Sequence, residues 1–143
     1  MFSNYLNIPI NFKDIRQKGT VERIDVKKSI HSMIHLITTT QYNEVRHDPS
    51  FGCDIWQYDF ENIYNPHLFK EELKKSIKNS ISSNEKRLVN VNVDLQIEQV
   101  EITTKVRNKR IKTRIRLIVT GLIDKTNEPL NHHEMFFIGP LSY

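Results

Sequence analysis

The chain carries a single cysteine, Cys53, so it cannot close an internal disulfide, and without a CxxC partner it has no thiol pair for metal or redox chemistry. A buried, unreactive thiol is the reading for Cys53. Glycine and proline are also scarce, 4 and 5 among 143 residues, and no Pro/Gly/Ser-rich stretch separates one half of the chain from the other. This scarcity excludes a flexible linker and favours one domain over residues 1–143. No apolar run approaches the length of a bilayer span. The opening residues MFSNYLNIPINFKD have neither the basic start nor the apolar core of a secretory signal, so a cytoplasmic protein is expected.

Hydrophobic residues make up 38% and charged residues 27%, enough apolar content to build a core and too little polarity for a disordered chain. The net charge of +4 is modest, but it is unevenly placed. Lys105 to Arg116, KVRNKRIKTRIR, holds seven positive charges and no negative one. Lys112, Arg114 and Arg116 would share one strand face, with Ile111, Ile115 and Leu117 on the other, and no aromatic residue is interleaved to stack on bases. A solvated face or an acidic protein partner is expected there, and not nucleic acid.

Residues 1–22 read either as an N-terminal arm or as an edge strand, because Ile8 and Ile10 flank Pro9. From Asp25 the apolar spacing becomes helical: Ile30, Met33, Ile34 and Ile37 recur on one face, with Asp25 as N-cap and an end near Thr40. Pro49 and Gly52 interrupt the stretch after Thr40, and Ile55, Trp56, Tyr58 and Phe60 crowd bulky side chains into an ordered loop. Asn65-Pro66 signals a second helix start, since proline at the first helical position forfeits no hydrogen bond. Phe69, Leu73, Ile77 and Ile81 then form its apolar stripe.

From Leu88 the period falls to two. Val89, Val91, Val93, Leu95 and Ile97 alternate with polar residues, while Val100 and Ile102 take the opposite parity, so a bulge is expected near Gln99. Asn108-Lys109-Arg110 reads as a turn, Ile111 to Val119 as the return strand, and TNEP at 126–129 as a turn into a strand over His132–Ile138. The predicted fold is α+β, two N-terminal amphipathic helices packed on a C-terminal antiparallel β-meander.

The string NEVRHDPSFGCDIWQYDFE between the two helices resembles the GPW family of tailed-phage baseplate wedge proteins and its type VI secretion relative, TssE. Glu44, Arg46, Pro49, Phe51, Gly52, Phe60 and Glu61 fit the family's pattern. Glu85-Lys86-Arg87 stands where the family carries Glu-Pro-Arg, with lysine in place of the proline that would stiffen the turn. The resemblance spans roughly Ile24 to Ile138; the basic hairpin and the ending FFIGPLSY are similar to the Bacteroidetes-type variants.

What the resemblance implies is a structural component with no catalytic site and no cofactor. It would join the wedge proteins TssF and TssG to the first ring of sheath proteins TssB and TssC, at a baseplate docked on the inner membrane complex. Glu44, Arg46, Glu61, Glu85 and Arg87 are the candidate partner-binding residues. The plainer alternative stays open: the loop aromatics fill core, and Glu44 or Glu61 with Arg46, and Glu85 with Arg87, are internal ion pairs.

Two chemical rivals are weaker. Glu44, Asp59, Glu61 and Glu85 supply carboxyl groups for a lysozyme-like reaction, which needs two of them facing one cleft, but nothing marks one as a raised-pKa acid. His132-His133-Glu134 invites a metal, yet neighbouring strand residues point to opposite faces, so the two histidines do not share an ion.

Overall fold

The computed structural model describes residues 4–57, 66–103 and 109–138. The N-terminal stretch is part ribbon and part helix. Strand β1 (Tyr5–Leu6) pairs antiparallel with β2 (Arg23–Ile24), and helix α1 (Phe12–Lys18) lies between them. Asn11 caps α1 by accepting from the Lys13 amide, and Gly19 ends it at φ 65°, a left-handed conformation that glycine adopts without a Cβ penalty. No side chain of α1 is buried.

Helix α2 (Val26–Thr39) begins where the sequence places it: Asp25 Oδ1 accepts from the Lys28 amide at 2.8 Å. Ile30, Ile34 and Ile37 are buried on one face, with Met33 packed against the same core. Helix α3 (Pro66–Asn84) has proline at its first position and buries Phe69, Leu73, Ile77 and Ile81. The predicted stripes are thus the observed ones.

The C-terminal half is a three-stranded antiparallel sheet in the order β3 (Leu88–Thr103), β4 (Lys109–Ile123), β5 (Pro129–Ile138). The fold is α+β. Val91, Val93 and Leu95 of β3, Ile115, Leu117 and Val119 of β4, and Leu130 and Phe136 of β5 join the apolar faces of α2 and α3 in one buried cluster. Fully burying such side chains contributes about 1.5–3 kcal/mol each.

Three strand details differ from the sequence reading. Pairing is unbroken through Gln99, which sits opposite Thr113; the register shift falls between Val89 and Asn92, where Asn90 has φ 53°. The bulge has a packing reason. It lets Leu88 and Val91, three residues apart, both face the core, and it turns Val89 outward to 36% exposure. Lys109 and Arg110 belong to β4, opposite Thr103 and Ile102, so any turn lies outside the described residues. The last strand also begins earlier than expected, at Pro129.

Candidate interaction surfaces

The loop leaving α2 is held by short-range bonds. The Asn43 amide donates to Pro49 O at 2.9 Å, the Asp48 amide to Val45 O at 3.2 Å, and Glu44 Oε2 accepts from the Gln41 amide at 2.9 Å. Gly52 is required where it stands: at φ 120°, an added Cβ would lie 2.5 Å from Thr40 O. Just beyond it, the Cys53 amide donates to Thr40 O, Trp56 Nε1 donates to Thr38 O at 3.0 Å, and Ser76 Oγ donates to Asp54 Oδ2 at 3.0 Å. Cys53 is fully buried and burial pushes its thiol up to about 11, the unreactive state expected for it.

Of the candidate contact residues in this loop, Glu44 and Arg46 are solvent-exposed, and Arg46 has no hydrogen bond or ion pair among the described residues. Tyr58, Asp59, Phe60 and Glu61 lie outside those residues. Trp56 is 39% exposed and meets Phe136 edge-on, with centroids 5.8 Å apart. It therefore packs on a buried side chain of β5 while keeping part of its own ring in solvent.

Glu85 and Arg87 form a clasp between α3 and β3. Glu85 Oε1 accepts from the Arg87 amide at 3.0 Å and from Arg87 Nε at 2.8 Å, and Oε2 accepts from Nη2 at 2.7 Å. This two-pronged fit uses the planar guanidinium in the way a lysine could not. Arg87 Nη1 also donates to Ser29 Oγ on α2 at 2.9 Å, and its Cζ sits 4.9 Å from the Tyr5 ring centroid. The Glu85 side chain is 2% exposed and that of Arg87 26%. A free surface position is what the sequence suggests for this pair, and the structure corrects that: Glu85 is turned inward, where its carboxylate holds the Arg87 guanidinium, and Arg87 in turn reaches α2 at Ser29 and the N-terminal ribbon at Tyr5. The bond to Glu85 raises the guanidinium's pKa further. Lys86 is exposed and donates to Ser82 O, continuing the helix end in place of the family's proline.

A second polar cluster spans α2 and β5, and sequence reasoning did not find it. His31 Nδ1 and His132 Nδ1 are 2.8 Å apart with their rings stacked, so at most one of those two nitrogens carries a hydrogen. His132 Nε2 lies 3.0 Å from Glu134 Oε1, close enough for an ion pair but off the line of a formed hydrogen bond. Glu134 Oε1 also meets His35 Nδ1 at 2.7 Å, and Oε2 accepts from Thr38 Oγ1 at 2.7 Å. Burial alone would raise the Glu134 carboxyl's pKa, but the close approach of His132 and the hydrogen bond from Thr38 together outweigh it and hold the pKa low. Burial and the neighbouring His132 and Lys27 depress the His31 imidazole.

The only trace in the sequence is a spacing of four between His31 and His35 and of two between His132 and Glu134. Because the two nitrogens of His132 face His31 and Glu134 on divergent sides, one ion cannot take all three. Among the described residues no group of three or more histidine, cysteine or acidic side chains is arranged to hold a metal. His133 points away, exposed on the other face.

A cleft of about 610 Å³ opens between the loop and α3, lined by Tyr42, Asn43, Pro49, Ser50, Ser80 and Asn84 among others. Among the described residues its polar lining is hydroxyl and amide with no carboxyl group, so they do not supply the pair of acids that glycoside hydrolysis needs. The two oxygens of Glu85 are occupied by Arg87, and Glu44 stands apart on the loop surface. No helix among the described residues is long and apolar enough to cross a membrane.

Two core helices, a stapled loop and a three-stranded antiparallel sheet define a small α+β protein. The chain belongs to the baseplate wedge protein gp25 family, whose pattern matches residues 24–128. Among solved structures it is similar to a candidate tail lysozyme from Geobacter sulfurreducens, at 19% identity and a TM-score of 0.57, covering 82% of this chain and 96% of that one. At that identity the likeness is one of fold. No significant match was found among curated proteins.

Proposed function

We propose that the chain is a structural baseplate component of a type VI secretion system. In this reading it links the wedge proteins TssF and TssG to the sheath proteins TssB and TssC and gives the first sheath ring a template to polymerise on, in the cytoplasm at a baseplate docked on the inner membrane complex. The family match over residues 24–128 carries the proposal, because it takes in α2, the loop, α3, β3 and β4 together. The loop's partner contacts are assigned to the exposed Glu44 and Arg46, and to Glu61, which lies outside the described residues. Glu85 and Arg87 set the angle between α3 and β3 and so place both surfaces. A sheet that ends in an unpaired strand can accept a neighbour's strand through main-chain hydrogen bonds. No bond-making chemistry enters this role.

The test is purification of the tagged protein from its own cells with mass spectrometry of what accompanies it. Recovery of TssF, TssG and sheath subunits supports the reading. Recovery of phage-type tail proteins instead would place the chain in the baseplate of a phage-derived contractile tail, and recovery of neither, from cells that express them, would refute it.

A further inference from the structure

The sheet has two outer strands, β3 and β5, and their solvent-facing rows differ in chemistry. Cross-strand partners share a face, so three rows can be followed across it: Asp94–Ile118–His133, Gln96–Arg116–Met135, and Glu98–Arg114–Phe137. The face runs from acidic and amide side chains on β3, through Ile118 and two arginines on β4, to His133 and the apolar Met135 and Phe137 on β5.

The β3 side is protected in the ways that natural edges usually are. It has a register shift at Asn90, the ion pair from Lys74 to Asp94 at 3.8 Å, and Glu98 engaged by Arg114. Among the described residues the β5 side shows none of these devices. Its ten residues pair with β4 without a register shift, and it leaves Met135 52% and Phe137 46% exposed where a solvated strand would carry polar side chains.

Beside them lies a shallow depression of about 320 Å³ that draws on all three strands, with Gln96, Arg116, Ile118, His133, Glu134 and Met135 among its lining. Arg116 is exposed and, unlike Arg114, has no hydrogen bond or ion pair among the described residues. Glu98 feels the charge of Arg116 but gives its close contact to Arg114, so the Arg116 guanidinium, next to an apolar floor, keeps donors open for a carboxylate carried on an apolar segment.

We infer that β5, and not β3, is the edge that receives an added strand, and that this strand comes from a partner bearing apolar side chains opposite Met135 and Phe137 and a carboxylate for Arg116. The inference rests on the proposed baseplate role, in which a sheath subunit is that partner. It adds which edge is used and what chemistry the incoming segment must have. The inner side of β5 is already committed, with Leu130, His132 and Phe136 buried, so selection falls to the outer row.

The experiment extends the purification from native cells to variants: Arg116→Glu, the double substitution Met135→Ser with Phe137→Ser, and Asp94→Ser as the β3 control. All four positions are exposed or at the sheet surface, and thermal melts should show each variant folded. The β5-side variants are expected to lose sheath subunits by at least about tenfold, as removal of an interface hot spot does, while retaining wedge proteins. Asp94→Ser should retain both.

Wild-type recovery of sheath subunits together with undiminished recovery by the β5-side variants overturns this inference and leaves the baseplate reading standing. Loss by Asp94→Ser alone would move the edge to β3. Wild-type recovery of no sheath subunit overturns both. A purified wild type that dimerises, with the Met135 and Phe137 substitutions restoring the monomer, would put a second copy of this chain on the edge and overturn the assignment to a partner.

Discussion

Replacing Glu85 by alanine should destabilise the whole fold. The substitution removes an acceptor that serves the Arg87 amide, Nε and Nη2 at 2.7–3.0 Å, and it leaves a guanidinium held only by Ser29 and the Tyr5 ring. Breaking a fully buried ion pair costs about 3–5 kcal/mol, and an exposed one contributes at most about 1 kcal/mol. The Glu85 side chain is 2% exposed, but that of Arg87 is 26% exposed and solvent takes back part of its charge, so a loss of about 2–3 kcal/mol is expected. For a chain of 143 residues this corresponds to a fall in Tm of roughly 8–12 °C.

Circular dichroism melts, with a urea titration for the free energy, measure it directly. Arg87→Lys should lose roughly half as much, because it keeps the charge but not the two-pronged geometry. A Glu85→Ala protein that melts within about 2 °C of wild type would refute the clasp as a structural element. The consequence for function studies is direct: failed sheath assembly in a Glu85 variant cannot be read as a lost partner contact until its stability has been measured.

Acid should weaken the fold through the cluster between α2 and β5. The His31 imidazole and the Glu134 carboxyl both have folded pKa values below their ordinary ones of 6.5 and 4.5, so the unfolded chain binds more protons as pH falls. Stability from His31 is present above about 6.5 and lost below it, and that from Glu134 is lost further down, below about 4.5. Urea midpoints should therefore drop from neutral pH to about pH 5 and again toward pH 4; a midpoint flat across that range would contradict the arrangement. Gly52→Ala should cost more than about 2 kcal/mol, since its Cβ would meet Thr40 O at 2.5 Å, whereas Gly19→Ala, with nothing within 4 Å, should cost only about 1 kcal/mol of left-handed strain. Equal melts for the two glycine variants would show that the loop yields at Gly52.

What the sequence made legible was whatever repeats at short range. The Ile30–Ile34–Ile37 face, the Phe69–Leu73–Ile77–Ile81 stripe, the Asp25 cap and the alternation of β3 all come from spacing along a few turns or pleats. The misses are matters of long-range geometry. Tyr5–Leu6 found its partner at Arg23–Ile24 with a helix in between, and His31 met His132 across 101 positions. Local pattern holds no record of such pairings. The bulge was misplaced for a related reason: parity shows that a phase changes, but the demand that Leu88 and Val91 both reach the core decides where. Glu85 looked like a surface acid because its partners, Arg87 and through it Ser29 and Tyr5, come together only when α3 docks beside α2 and the N-terminal ribbon.

The end of α2 carries no glycine cap and no basic residue in its last turn. Its terminal carbonyls are filled by the loop instead: Thr38 O takes Trp56 Nε1 and the Cys53 thiol, and Thr40 O takes the Cys53 amide. In mechanical terms the loop is a tether spliced onto the helix. Displacing Trp56 or Cys53 would strip the last carbonyls of α2 of their partners, so the helix end and the loop should loosen together.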